Sequence, residues 1–460
     1  MANNFKNATT LIHFPSRPTT FRVISRTKNG QIEEESTLKH LIETKCASLF
    51  KPFSSCWWLS SGHLQTIYNV AGYFRHIDKI WYRRKLLRLA DGGTMYVEMV
   101  QIAASFIVLI LVIRALDFAP LDDSVIEKDT PMIVVCHGLT GGSHEPYLRA
   151  ILSRTCRPIG QGGLGYRGVV VTHRGCAGSP ITSPRLYTAG HTDDLKQALM
   201  YISYHYPKSR LLGLGYSLGA NIMTRYVSEE GVDSRLSSAV VLSCPWDMEK
   251  NGHGLVSTFA GKNVYARGMG RNMMRLVRRH ERSLRKYPEH PICKELPSVL
   301  ALRYPTLPKF DDTFTRKVGG DAPVFPIPTV DEYYRWASSD KRVGDIRVPF
   351  LSINAADDPV VTNAPMDGKE NGSVVMVLTN RGGHLGWFES ATERWTTQPI
   401  LEWLELMGNA IMDDRPCLPL FVDGDGFIRE DDEILGCRVD AQDDGPIDGT
   451  AGDQSLLRMS

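Results

Sequence analysis

Leu211-Leu-Gly-Leu-Gly215-Tyr216-Ser217-Leu218-Gly219-Ala220 is the stretch on which the fold turns. A short apolar run, with the length and composition of a buried strand, ends in a serine that has a glycine two residues away on either side. An amphipathic stretch follows over 220–229. A strand that turns sharply into a helix needs those glycines, because a Cβ at either place would collide with the neighbouring strand or helix. Ser217 is then presented at the C-terminal end of the strand, and the amide of Leu218 at the helix N-terminus is placed to stabilise an oxyanion. Alone, Gly-x-Ser-x-Gly equally describes a tight turn with a capping serine, so the surrounding chain has to decide.

Outward from this point, short apolar runs rich in β-branched residues recur at 131–139, 168–172, 238–243, 349–353 and 373–378, with helical patterns such as 191–204 between several of them. That alternation predicts an α/β fold, a mostly parallel central sheet with helices on both faces. Before it, residues 84–99 alternate across Asp91-Gly92-Gly93, the pattern of a β-hairpin. The interval 248–347 breaks the rhythm with a basic helical stretch and a Pro-rich segment, and is expected to form a cap or lid. Residues 1–50 read as a flexible lead-in, 51–407 as the folded domain, and the acidic, Gly-rich 408–460 as a disordered tail.

The 460 residues carry 53 basic and 51 acidic side chains, a net charge of +2, so no overall field draws the protein to nucleic acid or to an anionic membrane, and either partner would need a local patch. Nine scattered cysteines without close pairs suit free thiols in a reducing compartment and no metal site. The N-terminus lacks the apolar core of a secretory signal, and Glu33 to Glu35 argue against a mitochondrial presequence. A cytoplasmic location is expected, with a peripheral membrane or lipid-droplet contact left open by one segment. Residues 102–113 form the most apolar run in the chain. It is short for a span, and it falls between strands of one sheet, which a bilayer crossing would split, so a buried or membrane-surface insertion over 101–120 is the expectation.

Catalysis by a serine on such a sheet requires an acid and then a histidine further along the chain. Asn354-Ala-Ala-Asp357-Asp358-Pro359 follows one strand and Gly382-Gly383-His384-Leu385-Gly386 follows the last, so the order is right. Asp357 is the expected acid, three residues beyond Asn354, with Asp358 in reserve. His384 would take the proton of Ser217, and the acid would orient the imidazole. His137-Gly138-Leu139-Thr140-Gly141-Gly142 ends an earlier strand, and the amide of Leu139 is the expected second oxyanion donor, with His137 itself structural. The arginines of 271–286 could meet phospholipid head groups or nucleic acid, a solvated helix face being the default. Asp423-Gly-Asp425-Gly fails the spacing of a calcium loop, since Phe421 falls where the first ligand belongs.

Over about residues 56–407 the chain resembles the α/β-hydrolase esterase/acyltransferase group that includes fungal medium-chain fatty-acid ethyl ester synthases and related bacterial and plant hydrolases. The resemblance rests on Gly62-His63-Leu64-Gln65-Thr66, Asp91-Gly92-Gly93, the His137 to Ser143 loop, Arg174-Gly175-Cys176-Ala177-Gly178, Phe310-Asp311-Asp312-Thr313 and the blocks around Ser217, Asp357 and His384. It implies an esterase working through Ser217, Asp357 and His384 on acyl esters, with water or an alcohol as acceptor and no cofactor. Residues 101–120 depart from the pattern. The rival expectation is a non-catalytic scaffold of the same fold that binds lipid or another protein.

Overall fold

The computed structural model describes residues 10–27, 30–101, 126–430, 434–439 and 445–450. Strand β1 (Leu11–His13) is followed by a hairpin of β2 (Thr20–Thr27) and β3 (Gly30–Thr37), then by α1 (Leu38–Lys45) and α2 (Gly62–Ala71). The predicted hairpin is present as β4 (Trp81–Leu89) and β5 (Thr94–Gln101), paired antiparallel, with the Gly93 amide donating to the Asp91 carboxylate across the turn at 2.7 Å.

The alternating core comes next. It runs β6 (Met132–Cys136), α3 (Pro146–Thr155), β7 (Arg167–Thr172), α4 (Asp193–His205), β8 (Leu211–Tyr216), α5 (Leu218–Glu230) and β9 (Ser238–Leu242). Every residue of β6, β7, β8 and β9 is buried, as sheets covered on both faces require. Successive side chains point to opposite faces, so Met132, Val134 and Cys136 join one core while Ile133 and Val135 join the other. Between β9 and the next strand the chain makes a helical insertion: α6 (Met248–Ser257), α7 (Arg267–Leu284), α8 (Pro291–Leu300), α9 (Leu307–Phe310), α10 (Arg316–Val318) and α11 (Val330–Ala337). Two π-helical segments, Gly261–Ala266 and Asp311–Thr315, lie within it. Strands β10 (Phe350–Ala355) and β11 (Val374–Thr379) and helix α12 (Thr397–Asn409) complete the core.

Among the described residues the sheet is ordered β1, β11, β10, β9, β8, β6, β7, β5, β4, and β6 through β11 are all parallel to their neighbours within that set. Described segments on both sides of the core add to it, contrary to expectation. At one edge β1 pairs antiparallel with β11, and α1 buries Leu38, Leu41 and Ile42 beside α12, so residues 11–27 and 30–45 are not a loose lead-in, while 1–9 lie outside the described residues. At the other edge β14 (Cys437–Val439) and β15 (Gly445–Asp448) both pair with β4. Strand β13 (Ile428–Glu430) pairs with β14, and β12 (Leu420–Val422) pairs with β13.

The acidity that suggested a disordered tail is locally neutralised. Asp413 pairs with Arg415, Asp423 with Arg429, and the buried Glu430 with Arg235 and Lys196. Composition averages over such pairs, whereas folding does not. The Asp423 turn is the β12–β13 connection, its carboxylate accepting from the amides of Asp425 and Phe427. Of the apolar insertion expected over 101–120, all but Gln101 lies outside the described residues. No helix of the described residues is long and apolar enough to cross a membrane.

Candidate active site

Ser217 stands between β8 and α5 with φ +51° and ψ −118°, a strained conformation for a residue with a side chain. The surroundings impose it. The Ser217 amide donates to the Leu242 carbonyl of β9 at 2.9 Å, and a Cβ at Gly219 would lie 2.4 Å from the Cys136 carbonyl oxygen. Only glycine lets α5 approach β6 this closely, and that approach brings the serine to the sheet edge.

His384 reaches Ser217 from the loop after β11. Its Nε2 lies 2.9 Å from Ser217 Oγ, and its Nδ1 lies 2.9 Å from Oδ2 of Asp358. The acid at the imidazole is therefore Asp358, and the expectation of Asp357 is corrected. The turn after β10 brings the Asp358 amide toward the Ala355 carbonyl, and the buried Asp358 side chain accepts from the amides of Val360 and Val361 at 2.8 and 2.9 Å through Oδ1. That leaves Oδ2 for the histidine. Asp357 is engaged elsewhere, accepting from Gly383 at 2.9 Å and from the Gly62 amide, and burial raises its pKa above the ordinary carboxylate value.

Helix α2 is the support that reasoning from the triad order missed. Thr66 Oγ1 accepts from the His384 amide at 2.8 Å and donates to the Gly62 carbonyl at 2.6 Å. Gln65 accepts from the Phe388 amide and donates to the Leu59 carbonyl. Gly62 itself packs so tightly on the acid turn that a Cβ there would lie 1.9 Å from the Asp357 carbonyl oxygen. The signal was present in Gly62-His63-Leu64-Gln65-Thr66, but the sequence could not say that this motif holds the histidine loop from over three hundred residues away.

Of the two expected oxyanion donors, Leu218 directly follows the serine and Leu139 belongs to the loop after β6. Leu218 is the first residue of α5, where an amide has no partner within the helix. The loop after β6 comes within 3.4 Å of Ser217 Cβ, measured from a Cβ placed at Gly138, and Leu139 follows. The amides on either side of Leu139 are tied down, Gly138 to the Tyr147 hydroxyl and Thr140 to the Tyr187 hydroxyl. His137 is buried, accepts from the His173 amide at Nε2 and gives its Nδ1 proton to the Gly138 carbonyl. Burial and the neighbouring His173 hold its pKa well below the ordinary histidine value, so it is a neutral brace for this loop. Arg174 is a second brace, joining Asp91 of the β4–β5 turn to Asp194 of α4.

Chemically, this is a hydroxyl hydrogen-bonded to an imidazole whose other nitrogen meets a buried carboxylate, an arrangement through which the hydroxyl proton can pass to the imidazole. Fold and site together define a class of protein. The chain belongs to the α/β hydrolase fold family, which matches residues 131–389. It is 30% identical over 421 residues to a monoacylglycerol lipase of Saccharomyces cerevisiae, covering 86% of this chain and 90% of that one. It is also 30% identical over 391 residues to the medium-chain fatty acid ethyl ester synthase/esterase 2 of the same yeast, covering 75% and 84%. Among solved structures, an esterase of Pyrococcus furiosus matches at 18% identity with a TM-score of 0.36, covering 66% of this chain and 83% of that one.

Proposed function

We propose that the chain hydrolyses carboxylic esters of medium-chain acyl groups, acylglycerols or simple alkyl esters, or passes the acyl group to an alcohol, through an acyl enzyme on Ser217. The observation that carries this reading is the unbroken line from Asp358 through His384 to Ser217, with 2.9 Å at each step. Ser217 Oγ attacks the ester carbonyl while its proton moves to Nε2 of His384. The tetrahedral oxyanion is received by the amides of Leu139 and Leu218, and the carbonyl re-forms as the alkoxide leaves with the proton from His384. Asp358 stabilises the transient imidazolium without taking its proton. Water or an alcohol, deprotonated by His384, then attacks the acyl carbonyl and returns Ser217 to its free form. The relatives named for monoacylglycerol and for medium-chain ethyl esters support this substrate class.

A fluorophosphonate probe tests the nucleophile. Labelling of the folded chain that disappears in Ser217→Ala is expected; absence of labelling in folded protein would leave a non-catalytic scaffold instead. Monoacylglycerols and ethyl esters of graded chain length, assayed with and without ethanol, then separate hydrolysis from alcoholysis and locate the preferred chain.

A further inference from the structure

Helix α2 is inside out. Its polar residues Gln65, Thr66 and Asn69 are buried, holding the His384 loop and Arg394, while Leu64, Ile67 and Val70 face outward. Val70 is 81% exposed, and Trp57, just ahead of the helix, is 86% exposed. Water penalises such a face at roughly 25 cal/mol per Å² of apolar surface, so an outward apolar stripe on a helix this polar inside points to a non-aqueous neighbour.

The insertion adjoins it. His63, at the start of α2, stacks on Tyr265 and shares a 2.7 Å hydrogen bond with its hydroxyl. Tyr265 sits in the π-helical segment that runs directly into α7, and Phe259 just before that segment is 84% exposed. Helix α7 buries Met273, Met274, Leu276 and Val277 and exposes Arg267, Arg271, Arg275, Arg278 and Arg282. Residues 267–286 hold eight basic side chains and one acidic, in a chain whose net charge is only +2. Arg267, Arg271, Arg278 and Arg282 form no ion pair among the described residues. Like charges concentrated on one helix repel one another unless an anionic surface meets them.

We propose that α2 and α7 form one docking surface for an anionic phospholipid membrane. Leu64, Ile67, Val70 and Phe259 enter the acyl region while the α7 arginines meet the lipid phosphates. Nucleic acid would satisfy the arginines but has no use for the apolar face of α2. Docking in this way brings the membrane to the helix that holds the His384 loop, and it goes beyond the chemistry of Ser217.

Co-sedimentation of the full chain with phosphatidylcholine vesicles, with and without phosphatidylserine, tests the proposal. Binding should be stronger to the anionic vesicles and fall with salt. It should weaken at least about tenfold in the Arg271→Glu/Arg278→Glu/Arg282→Glu variant, and weaken also in Ile67→Ser/Val70→Ser. Folding of each variant is checked by thermal melting, so the outcome does not depend on esterase activity. Equal binding to neutral and anionic vesicles, undiminished binding by the arginine variant, or capture of a DNA duplex with none of vesicles would overturn it.

Discussion

The Nδ1 of His384 lies 2.9 Å from Oδ2 of Asp358, while Asp357, one residue earlier, is turned to the amides of Gly383 and Gly62. Two adjacent carboxylates thus have separate tasks, which substitution can tell apart. Asp358→Asn should lower kcat on a preferred ester by about 10³- to 10⁴-fold with little change in KM, because the amide cannot hold the imidazole in its working tautomer or stabilise its cation. Asp357→Asn keeps an acceptor for Gly383 and should cost no more than about tenfold. An equal loss in both variants would contradict the separation.

Gly62 links the acid turn to the histidine loop. Its missing side chain makes room for the Asp357 carbonyl, and its own carbonyl receives the hydroxyl of Thr66. Gly62→Ala should therefore destabilise the fold by about 1–3 kcal/mol in denaturant titrations. It should also reduce kcat in the protein that remains folded. A variant with unchanged unfolding midpoint and rate would show that the contact yields freely.

Asp311, buried in the insertion, accepts from the Thr315 hydroxyl at 2.6 Å and the Tyr334 hydroxyl at 2.9 Å, without a cation at hand in either bond. Burial raises its pKa to about 6, partly offset by those two donors. A raised acid binds its proton more tightly folded than unfolded. Its stabilising contribution is therefore complete below the unfolded value of about 4 and is lost as pH rises through about 6, a swing on the order of 2–3 kcal/mol. Asp311→Asn is neutral throughout, so the melting temperature of the variant minus that of the parent should be higher at pH 8 than at pH 5. A difference that does not change with pH would refute the assignment.

Deleting residues 416–460 removes β12 to β15. It opens the edge of β4 and strands the buried Arg235 without Glu430. An unpaired buried charge costs about 3–5 kcal/mol, and an open sheet edge invites association. The truncated chain should melt at lower temperature and elute as larger species in size-exclusion chromatography. A monomer with the parent's melting temperature would show that the tail strands are dispensable.

Local signals made the α/β class legible. Buried strands at β6, β8 and β10 are continuous apolar runs, and the Gly215 to Gly219 turn is dictated by backbone sterics within a few residues, so both can be read without knowing what packs against them. The chain order of Ser217, an acid and His384 was legible for the same reason, since each follows its own strand. The edges were not. Strands β1, β14 and β15 are short, and they exist because β11 and β4 offer unpaired backbone groups, a condition no local window contains.

By itself, then, the sequence determined which strand ends carry the serine and the histidine, and that a carboxylate stands between them in the chain. Tertiary structure decided which carboxylate. Asp357 and Asp358 are chemically identical and adjacent, and only the packing of Gly62 and Gly383 against one of them leaves the other free to face His384. It likewise decided that α2 turns its polar side inward, because the His384 loop supplies the partners that Gln65 and Thr66 need, and this leaves Leu64, Ile67 and Val70 on the outside.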